Sequence, residues 1–201
     1  MNTTLIASAL GLSVAAGVSP YATVALLGLA HQVGWVAHLP AELSGITNPW
    51  VITLAVTLTL IEFAATLIPG IASAWEVVHA AIRPPLAAIL AALVVWDADP
   101  ALIAATALAG GTIAFGTSLT KLGARLAIDT SPEPVSNGAA NVAELTLVGL
   151  IAVFVWRHPV LASAIAVAIV VTTAIVVRAL WGMIWKAVTR ARRPGVGQIR
   201  S

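Results

Sequence analysis

The sequence alternates long apolar segments with short polar connectors. An α-helix rises about 1.5 Å per residue, so about 20 apolar residues are needed to cross about 30 Å of hydrocarbon. Six segments meet this length, at about residues 3–30, 50–68, 72–96, 101–128, 138–156 and 160–188. The pattern therefore predicts an all-α polytopic membrane protein with about six transmembrane helices.

Prolines interrupt two of the predicted helices. Because proline lacks an amide donor and restricts the residue before it, Ser19-Pro20 predicts a break or kink in the first helix. Pro84-Pro85 predicts a bend or break in the third helix, which begins near residue 72 on this interpretation. In the alternative, the third helix begins at Arg83 and follows a short interfacial helix over residues 75–82.

The connectors carry turn-forming and interfacial residues. Trp35 and Trp50 suit a membrane boundary, where an amphipathic ring is favoured. Turns are expected at residues 97–100 and 157–159 because each contains proline next to polar residues. Ser136 or Asn137 is expected to cap the fifth helix.

Two pairs of segments resemble one another in the same order. Gly11–Ser19 overlays Gly110–Ser118 with both glycines, an alanine and the serine identical, and Leu60–Ala74 overlays Leu150–Ala164. The pairs predict an internal repeat. Chance similarity within alanine-, valine- and leucine-rich sequence is the alternative.

The repeat and the charges predict the domain organisation and the orientation. Residues 1–98 form one three-helix repeat, residues 99–189 form a second, and residues 190–201 form a basic tail. Basic residues favour the cytoplasmic side, so the tail predicts a cytoplasmic C-terminus, and six crossings return the N-terminus to that side. Three crossings per repeat make the halves inverted, and inverted repeats with broken helices are typical of many secondary transporters and some channels, so the sequence predicts a transporter or channel. The predicted location is the inner (plasma) membrane.

Composition narrows the class of protein. Of the 201 residues, 60% are hydrophobic and 9% are charged, whereas soluble domains contain about 25% charged residues. The basic excess lies mainly near the C-terminus and argues against a nucleic-acid partner. The lipid bilayer and a small ion or polar solute are the expected partners, and glycine-rich helix faces leave room for a homo-oligomer.

The sequence gives little support for an enzyme. It contains no cysteine and no zinc-protease, serine-hydrolase or phosphate-loop motif, and its four histidines lack metal-ligand spacing. We therefore expect no cofactor and no catalytic residues, and the pattern does not identify a metal. An intramembrane hydrolase that uses paired carboxylates is the less favoured alternative.

The scarce ionisable residues inside the apolar segments are the candidate site, because such groups are costly in a membrane. Glu62 and Glu76 lie seven residues on either side of Pro69, so a helical hairpin places both at one depth, about 10 Å from the cytoplasmic boundary. The predicted ion- or substrate-binding residues are Glu62, Glu76, His79, Arg83, Ser19 and Ser118, the two serines lying at predicted helix breaks. Lys121 and Glu144 are predicted as supporting charges.

A structural interpretation stays open beside the functional one. Glu76 and Arg83 could satisfy one another, directly or through His79, while Glu62 pairs with Lys121 to hold helices together. The glycine-rich segments could likewise serve only close helix packing.

Two motifs carry a resemblance to a known family. They are Glu62-Phe63, Pro69-Gly70, Trp75-Glu76, His79 and Arg83-Pro84-Pro85 in the first half, and Ser131-Pro132-Glu133-Pro134 with Ser136-Asn137 in the second. The chain resembles the uncharacterised prokaryotic integral-membrane family catalogued as domain of unknown function 4126. The resemblance covers nearly the whole chain and implies a small polytopic membrane protein without a settled activity. Thr66, Leu67 and Ala72 depart from it, since Asp, Lys and Asp are commoner there.

Overall fold

Every regular element in the described part of the chain is helical. The structure, a computed structural model, describes residues 3–68, 70–128 and 134–169, together with residues 171, 172, 175 and 178. The α-helices are α1 Thr3–Val18, α2 Pro20–Gln32, α3 Pro49–Thr66, α4 Ile71–Val94, α5 Pro100–Ile128, α6 Pro134–Arg157 and α7 Pro159–Ile169. A short 3₁₀ helix, Ala41–Thr47, lies between α2 and α3.

Four helices are long and apolar enough to cross a membrane, namely α3, α4, α5 and α6. This confirms the all-α membrane class. The prediction of six crossings is not confirmed, because the first predicted span is divided into α1 and α2. The predicted sixth span begins in α7, but most of its part after residue 169 lies outside the described residues.

α1 and α2 form a hairpin instead of one crossing. Ser19 has an extended backbone (φ −154°, ψ 109°), and its Oγ accepts a hydrogen bond from Ala22 N at 3.2 Å, which caps α2. Leu5, near the start of α1, lines the same pocket as Leu39, which follows α2. The helix break at Ser19 is confirmed, whereas a single first crossing is wrong because α2 runs back alongside α1.

The helical bundle has two ends, which a pocket and a helix turn identify. Leu5, Leu39, Asp97 and Trp156 line one pocket at the first end, which we call the Asp97 face. The α3–α4 turn lies at the opposite end, which we call the Gly70 face. The start of α1 therefore lies at the Asp97 face, on the side opposite to the predicted cytoplasmic one. The predicted cytoplasmic tail, residues 190–201, lies outside the described residues.

Three sequence predictions about helix ends need correction. α4 begins at Ile71 and continues through Pro84 and Pro85, so the predicted break and the alternative start at Arg83 are both wrong. α6 begins at Pro134, where proline is favoured, so neither Ser136 nor Asn137 caps it. Ser118 lies inside continuous α5 and not at a helix break.

α6 and α7 form a second hairpin. A Cβ atom on Gly11 would lie 2.8 Å from side-chain atoms of both Val155 in α6 and Ala162 in α7, which requires the two helices to lie side by side. Ile169, near the described end of α7, lines a groove with Glu144 from α6. The predicted turn at residues 157–159 is confirmed, since only His158 separates the helices.

α1 is the centre of the bundle. All of its residues from Gly11 to Val18 are buried, and it packs against α4, α5 and α6. Small side chains permit a close approach of α1 and α5 at Gly17, where a Cβ atom would lie 2.8 Å from Ala114 Cα. Breaking a helix inside a membrane is tolerated where the break is buried in protein, and α1 meets this condition.

We expect Gly17→Ala to destabilise the chain by about 1–3 kcal/mol, because the added methyl group meets the α5 backbone, which cannot move aside freely. The measurement is thermal unfolding of the purified protein in detergent. Gly123→Ala is the matched control, since no atom lies within 4 Å of its added Cβ. Equal melting temperatures for the two variants would contradict the close approach of α1 and α5.

Candidate functional site

Six charged side chains from four helices meet at the tip of the α1–α2 hairpin. Five of them are buried, and the Glu144 side chain is 25% exposed. We call this set the charge network: Glu62 on α3, Glu76 and Arg83 on α4, Lys121 and Arg125 on α5, and Glu144 on α6. Three carboxylates face three cations, so the network is electrically neutral.

Arg83 joins the two carboxylates that sequence spacing places at one depth. Its Nη1 donates to Glu76 Oε2 at 2.6 Å, and its Nη2 donates to Glu62 Oε1 at 3.0 Å. Glu76 lies seven residues before Arg83, two helical turns away on the same face of α4. One guanidinium contacts both carboxylates, so the structure brings Glu62 and Glu76 together, whereas their depth in the membrane stays a prediction.

Lys121 contacts all three carboxylates. Its Nζ lies 3.4 Å from Glu62 Oε1, 3.1 Å from Glu76 Oε1 and 3.0 Å from Glu144 Oε2. The Glu76 contact is an ion pair without hydrogen-bond geometry, since Glu76 Oε1 accepts no hydrogen bond among the described residues. Lys121 also donates to Val18 O at 3.0 Å, which couples the network to the end of α1.

The break between α1 and α2 places the end of α1 and the start of α2 beside the charge network. Ser19 Oγ donates to Glu62 Oε2 at 2.6 Å, beside the start of α2. Ser118 Oγ donates to Gly17 O at 3.0 Å, one residue before the carbonyl that Lys121 binds. The start of a helix carries partial positive charge and its end partial negative charge, so each end faces a group of opposite sign.

His79 lies beside the charge network and makes no described ion pair. Its Nδ1 lies 2.9 Å from Trp75 O, and because a carbonyl only accepts, Nδ1 carries the proton. Its Nε2 lies 3.4 Å from Tyr21 Oη, and its ring stacks on Trp75 with centroids 4.3 Å apart. The structural alternative had Glu76 and Arg83 satisfying one another directly or through His79, and the structure shows the direct contact.

The sequence prediction omitted several polar residues of the site. Arg125 Nη2 lies 3.2 Å from Glu144 Oε1 and donates to Asn141 Oδ1. Asn141 Nδ2 donates to Phe63 O at 3.1 Å. Helical spacing was the available signal, because Arg125 follows Lys121 by four residues and Asn141 precedes Glu144 by three.

A small cavity adjoins the charge network. We call it the polar chamber; its volume is about 20 Å³. Its lining combines polar residues with apolar ones; the polar residues are Ser19, Thr59, Glu62, Thr66, Asn141 and Glu144, and the apolar ones are Phe63, Leu145 and Val148. A volume of this size holds about one water molecule. Within the described residues, no three His, Cys, Asp or Glu side chains are placed to hold a metal ion.

Fold and site together define a polytopic helical membrane protein with a buried, neutral charge network. The chain belongs to the family described as domain of unknown function (DUF4126), whose match covers residues 6–179. The resemblance stated from its motifs is thereby confirmed. The comparisons with curated proteins and with solved structures found no match.

Proposed function

We propose that this protein is a transporter or channel for a small ion or polar solute, with its site at the charge network. The observation that carries the proposal is the meeting of the α1–α2 hairpin tip with Lys121 and Glu62. Ionisable groups inside membranes mark ion pathways, and the ends of broken helices bind the transported species in many transporters. The small polar chamber favours an ion over a larger solute in this conformation.

A structural or assembly role is the second candidate function. Every acid of the charge network contacts a base, including the Glu76–Arg83 and Glu62–Lys121 pairs expected of a purely structural arrangement. Such matched ion pairs would suit a protein in which the charges only hold the helices together and no ion is transported. Stoichiometric copurification of a membrane partner, with no ion movement, would favour this second function.

Enzymatic activity is not part of the proposal. General acid–base chemistry needs carboxylates whose proton affinities differ, and Glu62 and Glu76 share the same two cationic partners, Arg83 and Lys121. We propose the bilayer and a small ion as partners and no cofactor. Homo-oligomerisation stays a prediction.

We also propose an orientation in the inner membrane with the Gly70 face in the cytoplasm. α7 runs toward this face, and the basic tail follows it in the sequence, which fits the preference of basic residues for the cytoplasm. The α3–α4 and α6–α7 turns lie at opposite faces, which supports an inverted relation between those two hairpins. The α1–α2 hairpin and continuous α5 have no such relation, so the complete inverted repeat stays a prediction.

Glu62→Gln and Glu76→Gln are expected to slow ion flux at least about tenfold, because each change removes a charge that Arg83 and Lys121 share, and about 1.4 kcal/mol corresponds to tenfold. Flux is measured in proteoliposomes with dyes that report internal pH and internal Na⁺. Glu42→Gln is the control, since Glu42 lies in the 3₁₀ helix at the opposite end of α3. Unchanged flux in both network variants would remove this site from the proposal.

A further inference from the structure

An apolar groove opens on the side of the helical bundle between α2, α3 and α6. We call it the lateral groove; its volume is about 820 Å³, within the range of clefts that bind small apolar ligands. Apart from Thr146, the residues that line it are apolar or aromatic. α2 closes the inner side of the groove, while Val33 and Leu150 on its rim are 64% and 65% exposed. The groove is therefore open toward the lipid.

The lateral groove has the length of one leaflet of a bilayer. Along α6 it extends from Val142 to Val153, a distance of about 16 Å at the helical rise. The hydrocarbon core of a bilayer is about 30 Å thick, so the groove covers about half of it. A transmembrane helix of a partner would need a groove of the full thickness, whereas the acyl chains of one leaflet need half. The length thus selects an acyl chain as the occupant.

The two ends of the lateral groove differ in polarity. Its inner end lies at Phe63 and Leu145, which also line the polar chamber and so lie between the two cavities. Its outer end lies at Trp35, which is 65% exposed and follows α2 at the Asp97 face. Tryptophan is favoured at the level of the lipid headgroups. A lipid in the groove would therefore have its headgroup at the Asp97 face.

One cation lies at the outer end of the lateral groove. Four basic residues precede residue 170; three belong to the charge network, and the fourth is Arg157. Arg157 ends α6 one helical turn beyond Val153, so both residues lie on the groove side of the helix. Arg157 is exposed, and no described residue forms an ion pair with it.

The position of Arg157 is not explained by membrane topology. Basic residues favour the cytoplasmic side, and the Asp97 face is opposite to the proposed cytoplasmic face. A guanidinium presents N–H groups in a fork that matches two oxygen atoms of a phosphate. Because Arg157 lies where a headgroup would be, its charge complements the phosphate of a phospholipid.

We propose that the lateral groove binds one phospholipid of the leaflet at the Asp97 face, with an acyl chain in the groove and the phosphate at Arg157. The apolar lining and the length of one leaflet select the acyl chain. The guanidinium at the outer end selects the phosphate. This binding requires no ion movement, so the inference goes beyond the proposed function and does not rest on it.

The test measures lipid binding by native mass spectrometry of the purified full chain released from detergent micelles. Added dioleoylphosphatidylglycerol is expected to bind in a saturable way, to one molecule per chain. Dioleoylglycerol has the same acyl chains without the phosphate, so it should bind about tenfold more weakly. Arg157→Gln should weaken phospholipid binding to the same extent. Arg178→Gln, which changes an exposed arginine outside the groove, should bind as the wild type does.

Filling the lateral groove should abolish binding. A Cβ atom on Gly149 would lie 3.5 Å from Leu26 Cδ1, an ordinary contact, so Gly149→Leu is expected to fold with the rest of its side chain in the groove. Gly123→Leu is the matched control, because no atom lies within 4 Å of its Cβ and it lies outside the groove. Leu150→Trp narrows the groove from an exposed position and keeps the test valid where Gly149→Leu does not fold.

Three results would overturn the inference. They are the absence of saturable binding, phospholipid binding that survives both groove-filling variants, and equal affinity for dioleoylphosphatidylglycerol and dioleoylglycerol. A stable dimer that excludes the lipid would instead assign the groove to a second copy of the chain. Lipid binding without ion flux would contradict only the proposed function, whereas flux without lipid binding would contradict only this inference.

Discussion

Replacing Arg83 by glutamine is expected to lower the free energy of unfolding by about 3–5 kcal/mol. Arg83 is fully buried and bonds two buried carboxylates, and removal of one partner leaves uncompensated charge in a medium that solvates it poorly. Folded proteins are stable by only about 5–15 kcal/mol, so much of the stability would be lost. The measurement is unfolding of the purified protein in mixed detergent micelles.

The control for Arg83 is an arginine outside the charge network. Arg157 is exposed at the end of α6, so Arg157→Gln should change stability by no more than about 0.5 kcal/mol. The double variant Arg83→Met, Glu76→Met should recover part of the loss, since it removes opposite charges together. If Arg83→Gln and Arg157→Gln had similar stability, Arg83 would not be compensating buried charge.

Single cysteines are expected to give an all-or-none labelling pattern across the membrane. The α1–α2 hairpin places Thr4 at the same face as Asp97, whereas Ile68 lies at the opposite face. A membrane-impermeant maleimide applied to one side should therefore label Thr4→Cys and Asp97→Cys together and leave Ile68→Cys unlabelled. The natural chain contains no cysteine, so it serves as the background control.

The labelling pattern decides between one first crossing and a hairpin. A single crossing by residues 3–30 would place Thr4 and Ile68 on one side and Asp97 on the other. Labelling of Thr4→Cys with Ile68→Cys would therefore contradict the hairpin. Permeabilised membranes should label all three variants, which checks that each cysteine is reactive.

Much of the fold follows from the apolar pattern and the prolines. The helix break at Ser19, the α3–α4 turn near Pro69 and the turn before Pro159 are all predicted by prolines, which disfavour a helix interior, although α4 continues through Pro84 and Pro85. The direction that the chain takes after a break is not predictable in this way. A proline that kinks a helix and a proline at which the chain reverses give the same local sequence pattern. Residues 3–30 are long enough for one crossing, and the packing of α1 among α4, α5 and α6 makes them a hairpin.

The candidate site was predictable for charged residues that lie on one helix, or on two helices joined by one short turn. Spacing around Pro69 places Glu62 and Glu76 together, and two helical turns bring Glu76 to Arg83. The contacts of Lys121 and Arg125 with Glu144 depend on how α5 and α6 sit around α1, which no local pattern encodes. Thr66 carries no charge, so it gave no signal of the polar chamber, and the only signal for Asn141 was its spacing from Glu144.

The charge network also bears on how the chain assembles in the bilayer. The α3 and α4 pair contributes Glu62, Glu76 and Arg83, whose charges sum to −1, whereas the α5 and α6 pair contributes Lys121, Arg125 and Glu144, whose charges sum to +1. A charged side chain at the centre of an isolated inserting helix costs about 2.5–3.5 kcal/mol. Separated in lipid, each pair would keep an uncompensated buried charge, so the opposite charges favour association of the two pairs over their separation.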